Sequence, residues 1–459
     1  MNEQPVVQYS SKTDVGMRRS ANQDSLQIRM CSGFEEWQKC GYLFVVADGM
    51  GGHSVGDLAS KEAVEALVQN YFRLDAEDVL ARMQRSVAGA NRAVHEKGRQ
   101  NPEFSDMGTT CSALSLSERG AIIGHVGDSR VYLIRNAQIA QLTFDHSLQW
   151  EMIRLGRATA KNVDLFHPRN VITRCLGPDP NVRVDLEGPF QVVPGDRFLL
   201  CSDGLTNHVS DSEIGQIAGS LPPTDAAKLL INLANCRGGS DNTTVVVVQV
   251  DDYPIQPEGT LNPLMDRSRL LDQTIVDVPL KSSASSRAAL LFTMASAAFG
   301  ISFFALGRPV AGAILCLTAF ASALFDLFVL RPARFRGMTL DTTQKPVSDT
   351  DKDDIDLVVN HGAANEGEGL PLNSPYRQST AELRDGLLDH LAEIQGELVQ
   401  AARDSGWNVD FDNLTSLSRQ AVASQQAGKR ERSITFRARA IDLLMKELYA
   451  RKPQNRSHP

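Results

Sequence analysis

The sequence has few cysteines, and it lacks an excess of basic residues. Its seven cysteines form no CxxC pair and leave one over, which argues against a disulfide framework and against a zinc ribbon. Acidic residues (55) outnumber Lys and Arg (47), and the net charge of −8 argues against a nucleic-acid-binding surface spread over the chain. We therefore expect reduced thiols and no nucleic-acid partner.

The sequence also lacks a secretory signal at its start, because MNEQPVVQYS has no basic stretch followed by an apolar core. Two long apolar runs occur later. Residues 288–306 carry no charge, and residues 310–330 contain only Asp326 as an ionisable side chain. At 1.5 Å per residue, each run is about 30 Å long as a helix, which matches a bilayer core. The pattern predicts a two-helix transmembrane hairpin in contact with membrane lipid.

The basic residues predict the orientation of this hairpin. Lys and Arg lie before the first run and after the second, whereas the turn between them carries only Arg308. By the positive-inside rule, both ends of the hairpin face the cytoplasm. We therefore expect a multi-pass protein of the cell membrane, with its N- and C-termini in the cytoplasm.

Composition divides the remainder of the chain. Residues 254–287 and the acidic, Gly-rich residues 331–378 are predicted linkers. Residues 379–452 have helical periodicity: Ser379 to Glu382 matches a capping box, and leucines and isoleucines recur at helical spacing from Leu387 and from Ile441. This pattern predicts a small cytoplasmic helical region, which is either a helical bundle or a hairpin that binds a protein partner.

Residues 1–253 show alternating or short apolar runs typical of strands, together with two longer stretches of helical periodicity. The helical stretches are 57–72 and 78–97. The predicted strands are 43–47, 110–116, 121–126, 131–134, 197–201 and 244–250. Strands that follow one another directly, with helices grouped between them, predict an α+β fold of mostly antiparallel sheets.

Five aspartates stand at strand ends or in turns of this block. They are Asp24, Asp48, Asp128, Asp203 and Asp241. A single Asp-Gly or Asp-Asn is more often a turn than a ligand, but Asp48 and Asp203 follow the apolar runs FVVA and FLLCS. A strand delivers such carboxylates rigidly to the rim of a sheet, and clustered carboxylates need cations. All-oxygen ligands favour Mg²⁺ or Mn²⁺ over zinc.

The motifs around these aspartates resemble those of a known family. They are DGMGG (48–52), GTT (108–110), GHVGDSRVYL (124–133), DHSL (145–148), NVITRCLG (170–177), LLCSDGL (199–205) and GGSDNTTVVVV (238–248). In this order, over about residues 8–251, they resemble the bacterial branch of the metal-dependent protein phosphatases (PPM, type 2C). The resemblance implies a four-layer α-β-β-α sandwich with a dinuclear metal centre that hydrolyses phosphoserine and phosphothreonine on proteins.

The resemblance also implies a role for each ligand. Asp48 would bridge two Mn²⁺ or Mg²⁺ ions, and the Gly49 carbonyl would complete one of them. Asp203 and Asp241 would hold the first ion, and Asp24 would support the second through water.

Two further residues complete the set that the resemblance implies. Asp128 would hold a weaker third ion together with Asp203, and Arg19 would clamp the substrate phosphate. Charge arithmetic supports the role of Arg19, because four carboxylates and two divalent ions sum to about zero and leave a phosphate dianion without a counter-charge. A hydroxide bridging the two ions would then attack phosphorus in line.

The sequence departs from the family pattern at two positions. Gln23 stands where many relatives have Glu, which predicts weaker binding of the second ion. Met50 stands where eukaryotic members have a His that acts as the acid, and His53 and His146 are candidate substitutes.

The sequence predicts a membrane-tethered metal-dependent serine/threonine phosphoprotein phosphatase acting on the products of serine/threonine kinases. Two alternatives stay open. One is a catalytically weak phosphopeptide-binding adaptor, and the other is a hydrolase of small phosphoesters. No Walker-type loop or aromatic cluster indicates a nucleotide pocket for the latter.

Overall fold

A computed structural model of the chain describes six stretches, all within one compact unit. They are residues 4–51, 55–74, 78–104, 106–155, 171–254 and 378–451. The predicted transmembrane hairpin and nearly all of both predicted linkers lie outside these residues.

Two sheets form the centre of the fold, and all of their described pairings are antiparallel. The first sheet has the order β2 (Asp24–Arg29), β3 (Tyr42–Met50), β5 (Cys111–Ser117), β6 (Gly120–Val126) and β9 (Asp185–Phe190), with β4 (Gly108–Thr109) paired to β3. The second has the order β1 (Val6–Asp14), β11 (Thr243–Asp252), β10 (Arg197–Cys201), β7 (Arg130–Arg135), β8 (Gln138–Gln141) and β12 (Gln378–Thr380).

Helices cover the outer faces of both sheets. Those on the side of the first sheet are α2 (Val55–Arg73) and α3 (Val79–Gln100). Those on the side of the second sheet are α6 (Asp211–Ser220), α7 (Pro223–Cys236), α8 (Asp385–Asp404) and α10 (Arg430–Arg451). The remaining described helices are α1 (Phe34–Cys40), α4 (Leu148–Arg154), α5 (Asp203–Thr206), α9 (Phe411–Gln426) and a 3-10 turn at Pro102–Phe104.

The period of two along β11 divides the apolar side chains between two cores. Val246 and Val248 lie in the core between the sheets, whereas Val245 and Val247 lie in the core under the helices of the second sheet. The strand is apolar on both faces because both faces are covered.

The predicted fold class is confirmed as two antiparallel sheets flanked by helices. Each predicted strand and both predicted helices are present, with ends shifted by three residues or fewer. Sequence reasoning missed β1, β2, β4, β8, β9 and β12. β1 and β2 have half-exposed polar positions, and β9 contains a Gly-Pro pair, which weaken the strand pattern.

The localisation prediction is corrected. In the part of the chain that the structure describes, no helix is both long and apolar enough to cross a membrane. The longest ones, α2, α3, α8 and α10, have 19 to 22 residues, but each carries charged side chains along its length. A multi-pass membrane protein is therefore not supported, and neither is a contact with membrane lipid.

The C-terminal region differs from its prediction at its start. Ser379 and Thr380 do not cap a helix. They form β12, which pairs with the edge strand β8, and α8 begins only at Asp385, without a side-chain cap. The predicted apolar positions Leu387 and Leu391 are buried against the chain's own helices. The apolar face expected to bind a protein partner is therefore already covered, and that prediction receives no support.

Candidate active site

The register of the first sheet brings two of the predicted ligands together. Asp24, the first residue of β2, stands directly opposite Asp48 near the end of β3. The backbone of Asp48 is held from the other side, since its N–H donates to Thr110 Oγ1 at 2.8 Å and its carbonyl accepts from Thr110 N at 2.9 Å. Both carboxylates are thus fixed by strand pairing.

The second sheet contributes Asp203, which follows β10 as the first residue of α5. Its neighbour Ser202 connects the two sheets: Ser202 Oγ donates to Asp24 Oδ2 at 2.7 Å and accepts from Thr244 N at 2.9 Å. Asn207 Nδ2 donates to Asp203 Oδ2 at 3.1 Å. This serine explains how the ends of β2 and β10 meet at one edge of the sandwich.

Asp241 lies in the loop before β11, and Arg19 lies against it. The guanidinium donates to Asp241 Oδ2 at 2.9 Å and to the carbonyl of Ser240 at 3.3 Å. The Arg19 side chain is 48% exposed, so it is open to solvent on one side. The predicted phosphate-binding group therefore lies beside a predicted metal ligand and is paired with it.

Asp128 follows β6 in a turn that needs glycine, because Gly127 has φ +113°. His146 supports this turn: Gly127 N donates to His146 Nδ1 at 2.9 Å, and His146 Nε2 lies 2.9 Å from Asp185 Oδ2. Both ring nitrogens of this buried histidine are thus occupied, which favours a structural role over that of an acid.

Gly49 permits a close approach that no other residue would allow. A Cβ at Gly49 would lie 2.0 Å from the carbonyl oxygen of Gly56, at the start of α2. The Gly49 N–H donates to the carbonyl of Gln23 at 3.1 Å. The glycine thus allows the backbone of β3 to lie between the residue before β2 and the start of α2. His53, the other candidate acid, lies outside the described residues.

The electrostatics show that these acids crowd one another. Burial raises the pKa of Asp24 to about 7. Burial, followed by the charges of Asp24 and Asp203, holds the pKa of Asp48 well above its ordinary value. Burial and Asp203 do the same for Asp128, and burial and Asp241 raise the pKa of Asp203. All five predicted acids are therefore close enough to interact.

The donor chemistry fits divalent cations. Among the described residues, no hydrogen-bond donor reaches the buried carboxylate oxygens Asp24 Oδ1 and Asp203 Oδ1, and a hard cation would satisfy both. As the side chains stand, no three His, Cys, Asp or Glu residues of the described stretches form a ready-made metal cage. In this arrangement Asp241 is paired with Arg19.

Sequence reasoning missed the polar residues that hold these acids in place. Besides Ser202 and Thr110, they include Asn242, whose side chain donates to the carbonyls of Val15 and Ala21 at 3.0 and 2.9 Å and accepts from Gln23 N at 2.8 Å. Asn242 thereby joins the Arg19 loop to the Asp241 loop. Each of these residues lies within a motif quoted above, which was the only available signal.

Crowded buried acids with unsatisfied oxygens, beside an exposed arginine and on a two-sheet sandwich, define a metal-dependent phosphatase. The family model for protein phosphatase 2C matches residues 17–236. Protein phosphatase PhpP of Streptococcus pneumoniae is 35% identical over 250 residues, which are 54% of this chain and 98% of that relative. The chain belongs to the protein phosphatase 2C family.

The chain is similar to two further proteins. A serine/threonine phosphatase, stp, of Listeria monocytogenes is 37% identical over 247 residues, which cover 52% of this chain and 94% of the relative. A crystal structure of the catalytic domain of the serine/threonine protein phosphatase PstP, in complex with two manganese ions, is 32% identical with a TM-score of 0.46, covering 54% of this chain and 99% of that one.

Three predictions are thereby confirmed: the family, the enzyme class of protein-serine/threonine phosphatase, and a cofactor of two Mn²⁺ or Mg²⁺ ions. The names of the relatives also imply phosphoprotein substrates. The family match ends at residue 236, so β12 and helices α8 to α10 lie beyond it.

Proposed function

We propose that this protein dephosphorylates phosphoserine and phosphothreonine in proteins at the sheet edge that carries Asp48. The convergence of five interacting carboxylates beside one half-exposed arginine supports this proposal most directly. We propose that the ligands are Asp24, Asp48, the Gly49 carbonyl, Asp203 and Asp241, and that Asp128 serves a weaker third ion with Asp203.

When bound, the two ions neutralise the acids and supply the Lewis acidity that makes water nucleophilic near neutral pH. The protein's own residues do the remaining work. Strand pairing of Asp24 with Asp48 and the Ser202 bond between the sheets hold the acids rigidly, so little reorganisation accompanies the reaction.

Arg19 is proposed to bind the substrate phosphate. The guanidinium pairs with the carboxylate of Asp241. Once cations balance the carboxylates, Asp241 attracts the guanidinium less, and a phosphate dianion offers it two oxygens in a bidentate geometry. The exposed face of Arg19 allows this exchange without rearrangement of the fold.

A substitution at Asp203 tests the proposal. With Mn²⁺ present, we expect the full-length protein to hydrolyse a phosphothreonine peptide and Asp203→Asn to lower kcat by about a thousandfold, because the charge that holds an ion is lost. Asp179→Asn, at an exposed aspartate outside the acid cluster, is the matched control. Near-normal turnover by Asp203→Asn would refute the assignment.

A further inference from the structure

One tyrosine near the end of α10 connects the C-terminal helices to α7. The hydroxyl of Tyr449 donates to Asn232 Oδ1 and accepts from Asn235 Nδ2, each at 2.9 Å. Both asparagines are buried, with exposures of 0% and 4%. The three side chains form a polar cluster between α7 and α10, beside a longer contact from Asn232 Nδ2 to Asp442 Oδ1 at 3.5 Å.

Asn235 passes this contact on to β1. Its Nδ2 also donates to Asp14 Oδ1 at 3.0 Å, and the same carboxylate oxygen accepts from Gly16 N at 2.9 Å. Asp14 is the last residue of β1, and the loop that follows carries Arg19. A single amide group thus joins Tyr449 to the base of the Arg19 loop.

The Arg19 loop and the Asp241 loop are themselves interlocked. Met17 N and Arg18 N both donate to the carbonyl of Gly239, at 2.7 and 3.1 Å. A Cβ at Gly16 would lie 2.2 Å from the carbonyl oxygen of Asp241, so the two backbones are in direct contact. The two loops therefore form one hydrogen-bonded block.

The orientation of the Asn235 amide depends on Tyr449. Asn235 Oδ1 is buried and has no hydrogen-bond donor among the described residues. Only the two acceptors of Nδ2, Tyr449 and Asp14, therefore fix the amide. A Cβ at Gly239 would lie 2.6 Å from Asn235 Oδ1, so the amide packs closely against the loop that carries Asp241.

We propose that Tyr449 is a positioning residue, which holds the Arg19 and Asp241 loops in place for binding of phosphate and metal. The C-terminal helical region thereby becomes part of the active site's support, although it lies outside the family match. This inference rests on the proposed function of Arg19 and Asp241.

The test compares two Tyr→Phe variants of the full-length protein. Tyr449→Phe removes the hydroxyl that faces the loops. Tyr253→Phe removes a more deeply buried hydroxyl, which donates to the carbonyl of Ser117 at 2.6 Å. Tyr253 follows β11, whereas Asp241 precedes that strand, so the control lies at its other end. For each variant, KM and kcat are measured with a phosphothreonine peptide, Kd for Mn²⁺ by calorimetry, and Tm by scanning calorimetry.

We expect Tyr449→Phe to raise KM and the Mn²⁺ Kd about fivefold, as loss of one buried hydrogen bond allows, while kcat changes less than about twofold. Tyr253→Phe should lower Tm without altering either constant. If both variants lower Tm and leave KM and Kd unchanged, the role of Tyr449 is purely structural and the proposal fails.

The two proposals fail in different ways. A wild-type protein that binds Mn²⁺ but does not cleave the peptide would refute the proposed function. In that case, the positioning role of Tyr449 would still be tested by comparing the Kd for Mn²⁺ of Tyr449→Phe with that of Tyr253→Phe.

Discussion

The aspartates at the sheet edge and the leucines of the C-terminal helices are both buried, yet they affect the free energy of unfolding in opposite directions. Asp24, Asp48 and Asp128 lose hydration and repel one another, which is why their pKa values are raised. Leu388 and Leu391 bury only apolar surface, and removing that surface from water stabilises the fold by about 1.5–3 kcal/mol per side chain.

Burial of the leucines therefore stabilises the fold, whereas burial of the aspartates destabilises it. The acid cluster is destabilising until cations bind, and the fold tolerates it because strand pairing holds the backbone beneath it. The C-terminal helices cover an apolar surface formed by the second sheet and α7. They thereby enlarge the core on the face of that sheet that points away from the first sheet. Four predictions test this comparison.

The largest effect is expected from Asp48→Asn. Losing the proposed bridging charge should lower kcat by about a thousandfold or more. In the metal-free protein, the same change removes repulsion among the acids and should raise Tm at pH 8. Turnover and calorimetry in the presence of a chelator measure the two effects. A lower Tm in the metal-free variant would contradict the view that the acids are destabilising.

The second prediction concerns pH. The pKa of Asp24 is raised to about 7 in the folded protein, so its favourable contribution is fully present below about pH 4 and is lost as pH rises through 7. The loss is on the order of 4 kcal/mol for a shift of about three pH units. Other groups titrate as well, so the informative quantity is the difference between Asp24→Asn and wild type.

In metal-free protein, the Tm of Asp24→Asn minus that of wild type should grow between pH 5 and pH 8, because the asparagine is neutral throughout. Saturating Mn²⁺ should raise the Tm of wild type more at pH 8 than at pH 5, since the ions bind the ionised acids. A difference in Tm that is the same at both pH values would show that Asp24 has no raised pKa.

The third prediction concerns the apolar side of the comparison. Leu388→Ala removes a fully buried side chain of α8 and should destabilise the protein by about 3 kcal/mol through lost burial and a cavity. Gln400→Ala, at an exposed position of the same helix, is the control. Chemical denaturation measures both. A Leu388→Ala variant as stable as the control would mean that the C-terminal region does not stabilise the catalytic domain.

The smallest effect is expected from a charged pair in that same region. Arg430 Nη2 lies 2.6 Å from Asp385 Oδ2, but about half of each side chain is exposed. Exposed ion pairs contribute little because water and salt screen them, so Arg430→Gln should leave Tm within about 1 °C of wild type. A fall as large as that of Leu388→Ala would show that charge, and not apolar burial, holds the C-terminal helices.

Much of the fold was predictable because its signals are local. The short apolar runs of β6 and β11 follow from burial of both strand faces, and the helical period of α2 and α3 follows from packing on one side. The capping-box prediction at Ser379 failed because the backbone of Ser379 pairs with the edge strand β8 instead of starting a helix.

The acids of the site were predictable from the sequence, but the residues that hold them in place were not. Turn residues after apolar strands identified Asp48 and Asp203, and the resemblance to a family supplied the set. The bond from Ser202 to Asp24 joins residues 178 apart in sequence, and no periodicity predicts such a contact. The pairing of Arg19 with Asp241 was missed for the same reason, since it depends on how two loops interlock.

The sequence by itself determined six strands and the two longest helices of the N-terminal block, the aspartates at the strand ends and the enzyme class, because periodicity, turn chemistry and motif order are properties of neighbouring residues. Only the tertiary structure decided that β12 extends the second sheet and that Tyr449 reaches Asn235, 214 residues away. Such contacts depend on which surfaces remain open after the core has packed, and that is a property of the whole fold.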